Sequence, residues 1–164
     1  KRVVRLKCGD PGIFARGADD AAACAAAGIP CEIVPGVTAA CAAAAEIGAT
    51  LTERGAYDSL VLTTGATRPG DPDPDWASLV RPGTTIAVYM GVAAAPRIRA
   101  GLLAAGAPGS SRAEIVSEAG TPRSRAWTTT LDSLAAVTTA ERVPNPAILL
   151  VRLPKVEAPA VAVA

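Results

Sequence analysis

Five apolar runs in this chain stop at a loop that contains glycine: KCGDPGIF (7–14), VPGVTAA (34–40), TTGAT (63–67), YMGVAAA (89–95) and EAGTP (118–122). A chain that repeats strand, glycine loop and helix has few folds open to it, because each helix must lie over the sheet that its flanking strands build. In open α/β sheets ligands bind where strands end, since backbone N–H groups there face outward. Taken singly, each loop is explained by a turn that needs positive φ. Taken together, the five imply a cleft with contributions from both halves of the chain.

The elements follow from local pattern. VVRL (3–6) and CEIVPGV (31–37) read as strands, the second stopped by Pro35 and Gly36. GADDAAACAAAG (17–28) has strong helix formers, acidic residues in its first turn and Gly28 at its end. Thr38 stands at an N-cap position before TAACAAAAEIG (38–48), with Gly48 closing that helix. TLTERGAYD (50–58) is polar and aperiodic, and is read as a domain boundary. Beyond it SLVLTTGA (59–66), TTIAVYMG (84–91), AEIVSEAGTP (113–122), SRAWTTTL (124–131) and AILLVRL (147–153) are strands. A Pro/Asp-rich loop (67–75) and helices at 76–80, 95–106 and 131–141 lie between them. The strand–helix alternation predicts an α/β fold with a parallel sheet, in two units at 1–56 and 57–164, and a frayed tail at 157–164.

Composition excludes several functions. The chain has 164 residues, 50% of them hydrophobic and only 3% aromatic, so its core must form by close approach of small side chains. Sixteen basic and 15 acidic residues leave a net charge of +1, with no basic stripe for nucleic acid; small molecules are the expected partners. With no histidine, a Ser-His-Asp hydrolase is excluded. Cys8, Cys24, Cys31 and Cys41 lack C-x-x-C spacing, which argues against a metal site; Cys24 and Cys41 read as small helical hydrophobes. The alanine-rich runs are too short to span a membrane, and no signal peptide is visible, so the expected compartment is the cytoplasm. Neither G-x-G-x-x-G nor a P-loop occurs. What is left is a site that grips its ligand mainly through backbone, with one carboxylate, Asp10, and an apolar wall that includes Met90. Because Lys1 opens the chain in mid-strand, an upstream element is expected to pack against it.

KCGDPGIFARG followed by GIPCEIVPGVTAACAAAAEIGATLTERG resembles the signature of the uroporphyrinogen-III C-methyltransferases, K-G-G-D-P-F-I-F-G-R-G, then G-I-P-x-x-V-V-P-G-I-T-S-A and P-L-T-H-R-G. The resemblance runs to about residue 153. It implies the tetrapyrrole methylase fold, with two α/β domains in series, the cofactor cleft between them and the first domain incomplete here. It further implies S-adenosylmethionine-dependent methylation of uroporphyrinogen III to precorrin-2, on the route to sirohaem and cobalamin, by a homodimer when full length. The family's cofactor contacts fall on Cys8, Gly9, Asp10, Ile13, Thr38, Ala39, Met90 and Gly120. Arg16, Arg54 and Arg123 are the cations suited to the substrate's carboxylates. The family's acid/base residues precede the matched region, so the catalytic residues are expected upstream and this polypeptide is expected to be inactive alone.

The departures are Cys8, Gly12 and Ala15 within the first motif, Ala66 where the family has histidine, and Glu53 in place of another. These bear on substrate more than on cofactor and leave two alternatives: a methylase of a later corrin precursor, and a non-catalytic binding or dimerisation module.

Overall fold

Near-continuous apolar runs at 84–89 and 147–153 produce a sheet that is buried on both faces. The computed structural model describes residues 1–67, 70 and 72–155. Among these lie α1 (Gly17–Ala26), α2 (Ala39–Glu46), β1 (Ser59–Thr64), α3 (Trp76–Leu79), β2 (Thr84–Tyr89), α4 (Ala95–Ala104), β3 (Arg112–Ser117), β4 (Arg125–Thr130), α5 (Leu134–Ala140) and β5 (Ala147–Leu153). The sheet order is β1-β2-β5-β3-β4. Ile86, Val88, Ile115, Leu149 and Val151 face one side, where α3, α4 and α5 cover them. Ala87, Tyr89, Val116, Ile148 and Leu150 face the other, where α2 packs.

The two covering layers are held differently. Ile98 and Leu102 of α4 are fully buried, and each contributes about 1.5–3 kcal/mol by leaving water. On the opposite face α2 presents Ala40, Ala43 and Ala44, whose methyl groups contribute only about 0.8 kcal/mol each. That helix sits close to the sheet without burying much area, so polar ties matter more to its placement.

Two expectations are corrected. The sheet is mixed, not parallel: β1 and β2 are its one parallel pair among the described residues, while β5 runs antiparallel to both β2 and β3. A short link after β3 returns the chain as a hairpin into β4, which only antiparallel pairing permits. Second, the segments 3–6 and 31–37 form no strands. Val3, Val4, Leu6, Ile33, Val34 and Val37 are exposed, because no neighbouring strand among the described residues supplies partners for that backbone. The helices that follow those segments form as read, with Gly28 and Gly48 at positive φ just past their C-caps. Cys41, read as a small hydrophobe of α2, instead points outward, whereas Cys24 is half-buried; all four cysteines are free thiols. The tail at 157–164 and part of the 67–75 loop lie outside the described residues.

Candidate functional site

The register of the sheet brings three strand exits to one edge. Thr64 of β1 pairs with Tyr89 of β2, Tyr89 with Ile148 of β5, and Ile148 with Val116 of β3. The C-terminal ends of β1, β2 and β3 therefore lie beside the start of β5. Two of the exits carry non-glycine residues in the left-handed region, Met90 at φ 52° after β2 and Glu118 at φ 50° after β3. Such conformations cost about 1–3 kcal/mol each and persist where the surroundings impose them, often at binding sites. Here Gly65 N–H donates to the Tyr89 carbonyl at 2.7 Å and Glu118 N–H to that of Pro146 at 2.8 Å, which pins both turns.

Against this edge the first half of the chain lays its two glycine loops. Asp10 joins them: Oδ1 accepts from Gly12 N–H at 2.8 Å and Oδ2 from Gly36 N–H at 2.9 Å. Donation from Gly36 first, and from Gly12 second, holds the Asp10 carboxyl below the usual carboxylate range. Gly36 has to be glycine, since a Cβ there would collide with the Gly9 carbonyl. Lys7 donates to the Ala15 carbonyl at 3.0 Å and pairs with Asp20 of α1, fastening the loop at its far side. Lys7 is also the foremost cause that lowers the Asp20 pKa.

Two adjoining cavities open between these loops and the sheet edge, and Ala39, Tyr89, Met90 and Pro146 line both. The smaller, of about 310 Å³, is closed by Cys8, Gly9, Asp10 and Ile13 from the first loop and by Thr38 from the second. Phe14 also lines it, with its ring centroid 4.7 Å from that of Tyr89. The larger, of about 580 Å³, runs along the strand ends and is walled by Val92, Ala93, Val116, Ala119 and Ile148. Both linings are mainly apolar; the smaller adds the side chains of Lys7, Asp10 and Thr38, and the larger adds Asn145. That combination suits a ligand with a polar end and a flat apolar body.

Of the eight residues expected to contact a cofactor, seven line the smaller cavity. Gly120 lines neither; it follows Ala119 of the larger one, has φ 77°, and donates its N–H to Glu46 of α2 at 3.1 Å. The three expected substrate arginines stand apart from the lining. Arg16 is the left-handed N-cap of α1, paired with Asp19 at 2.7 Å. Arg54 is exposed in the turn closed by Glu53 and Tyr57. Arg123 is engaged by Glu118 at 2.7 Å, and this contact raises its pKa. Sequence reasoning missed Tyr89, Phe14 and Pro146. A signal for the last was present in the Asn145-Pro146 dipeptide just before β5. For Tyr89 the signal was an aromatic at a strand exit in a chain that has only two tyrosines.

The tetrapyrrole (corrin/porphyrin) methylase family model matches residues 1–135. Siroheme synthase of Gluconacetobacter diazotrophicus is 45% identical over 152 residues, covering 92% of this chain and 32% of that protein. The siroheme synthase of Nitrosospira multiformis is 41% identical over 151 residues, with the same coverage of 92% and 32%. The chain thus spans about a third of the length of these curated relatives. Among solved structures, uroporphyrin-III C-methyltransferase of Thermus thermophilus in complex with S-adenosylhomocysteine superposes with a TM-score of 0.78 at 32% identity. That match covers 92% of this chain and 65% of the other. A cobalt precorrin-4 methyltransferase gives 0.85 at 26% identity, covering 93% and 64%.

Proposed function

Because the chain belongs to the tetrapyrrole (corrin/porphyrin) methylase family, we propose that it carries the cofactor cleft of an S-adenosylmethionine-dependent C-methyltransferase that converts uroporphyrinogen III to precorrin-2. The observation that supports this reading above the others is convergence. Loops as far apart in sequence as those of Lys7 and Pro146 meet in one pair of cavities, and seven positions of the family's cofactor motif line the smaller of them.

The residues present fit that cofactor on their own chemistry. The smaller cavity takes the amino-acid end, which needs donors for a carboxylate and an acceptor for an ammonium; the Thr38 hydroxyl and the main chain of the first loop provide them. The larger, apolar cavity takes the adenine, whose two flat faces need dispersion contacts more than hydrogen bonds. When bound, S-adenosylmethionine supplies an electrophilic methyl group on a sulfonium. The chain's own contribution is to hold its ligand in one orientation and to keep water from the methyl, work that requires rigid loops and little acid or base. The Asp10 clamp and the pinned turns at Met90 and Glu118 provide that rigidity.

Substrate carboxylates are assigned to Arg16, Arg54 and Arg123, whose guanidinium groups suit bidentate pairing. Arg123 must then exchange Glu118 for the substrate. A division of the chain near residue 56 belongs to the same reading, supported by the fact that all five strands follow it. α2 nonetheless stays docked on the second unit's sheet. Homodimeric assembly is carried over from the family resemblance, and a cytoplasmic setting suits four free thiols. No helix among the described residues is long and apolar enough to cross a membrane.

Titration calorimetry of the chain with S-adenosylhomocysteine tests the cleft: saturable one-to-one binding is expected, and absence of heat together with an unmoved melting temperature refutes it. Transfer of labelled methyl to uroporphyrinogen III, set against later precorrins, tests the substrate in an enzyme that includes this cleft. The likeness to the precorrin-4 enzyme favours a later corrin precursor as the second reading, and labelling only of such a precursor would establish it instead.

A further inference from the structure

Helix α2 has an N-cap residue that does not cap. Thr38 stands at that position with extended backbone, φ −66° and ψ 149°, yet its side chain accepts no hydrogen bond from the first turn of the helix. An N-cap hydroxyl normally receives the N–H of the second or third helical residue. Here the N–H of Ala40, the second, goes instead to the phenolic oxygen of Tyr89 at 3.1 Å. The same oxygen lies 2.5 Å from Thr38 Oγ1. Tyr89 is the last residue of β2, is 7% exposed and lines both cavities.

Either hydroxyl could donate in that short contact, and the difference in burial, Tyr89 buried and Thr38 half-buried, favours one direction. Tyr89 has one O–H, and its oxygen already accepts from Ala40. If Thr38 donated to it as well, the phenolic proton of buried Tyr89 would have no acceptor among the described residues, a costly state for a group so far removed from water. The satisfied arrangement has Tyr89 donating to Thr38 Oγ1, which leaves the Thr38 proton free to turn into the smaller cavity. We propose that Tyr89 is a positioning residue: its hydroxyl caps α2 from across the sheet and orients the Thr38 O–H as a donor toward an acceptor oxygen of the bound ligand, such as a carboxylate. The inference rests on the reading of this cleft as the S-adenosylmethionine site. Its physical basis is the weak apolar hold on α2, whose three buried alanines leave register to be decided by such polar ties.

A double-mutant cycle tests it. Tyr89→Phe keeps the ring and its packing on Phe14 but removes the hydroxyl. Binding of S-adenosylhomocysteine is measured for the wild type, Tyr89→Phe, Thr38→Val and the double variant, with melting temperatures alongside. Each single change is expected to weaken binding by about tenfold, the worth of one hydrogen bond. The double variant is expected to bind no worse than Thr38→Val, because Tyr89 acts through Thr38. Thr38→Ser, which retains the hydroxyl, is expected to bind within about twofold of wild type. Unchanged affinity in Tyr89→Phe, or fully additive losses, overturns the proposal. Amide exchange of Ala40 in the unliganded chain supplies the independent arm. Protection there is expected to fall in Tyr89→Phe, and if it does not, the cap across the sheet is wrong whatever the ligand. If the wild type binds no S-adenosylhomocysteine but Ala40 loses protection, the cofactor reading fails and the donor assignment to a ligand falls with it, while the cap stands.

Discussion

Asp10 illustrates how far a single residue can be read before its surroundings are known. Its place among Gly9, Pro11 and Gly12 marked it as a site residue, and it does line the smaller cavity. Both its oxygens, however, are occupied by main-chain donors, one of them 26 residues away at Gly36. The carboxylate therefore organises the cleft by joining two loops. Asp10→Asn keeps one acceptor oxygen and presents an amide N–H₂ to the other donor, so Gly36 is expected to lose protection in amide exchange and S-adenosylhomocysteine affinity to fall. Acid should do the same reversibly. The folded-state pKa is depressed, so the clamp's contribution is fully present above the unfolded carboxylate value and is lost as pH falls through the lowered one. Gly36 exchange followed against pH is expected to show that loss in the wild type and none in Asp10→Asn. Tyr89 is the contrary case: nothing near it in sequence announces that its hydroxyl reaches Thr38, 51 residues earlier.

At the scale of elements, helices and strands of the second half were legible because each carries its own periodicity and stop signals. The segments 3–6 and 31–37 were misread as strands for an equally simple reason, since a strand is a relation between neighbours and apolar content alone supplies none. Gly101 shows tertiary context overruling propensity inside a helix. Placing alanine there should favour α4 by about 0.8–1 kcal/mol on intrinsic grounds. The added Cβ meets the Trp76 ring of α3 instead, and overpacking of that kind costs about 1–3 kcal/mol. Gly101→Ala is thus expected to lower the melting temperature, and to raise it when introduced into a Trp76→Ala background. Thermal unfolding of the four proteins checks both signs.

For the whole molecule, a buried ion pair within the sheet carries the tie to the connector. Arg152 of β5 donates from Nε to Glu114 of β3 at 2.9 Å, and from Nη1 to the Thr50 carbonyl at 2.7 Å and to Thr85 of β2 at 3.2 Å. Arg152 and Glu114 are 3% and 2% exposed. Glu114→Leu alone strands a buried guanidinium and is expected to destabilise the fold by about 3–5 kcal/mol, whereas the double change with Arg152→Met should recover most of that loss. Urea unfolding of the two variants distinguishes these outcomes. Local chemistry sufficed to specify which stretches become helix, which strands form in the second half, and where glycine loops follow them, because propensity and turn residues act over a few neighbours. Strand order, the antiparallel insertion of β5, the Asp10 bridge and the Tyr89–Thr38 contact were decided only in three dimensions. Each depends on groups distant in the chain finding one another, and their separation in sequence carries no record of the distance that folding removes.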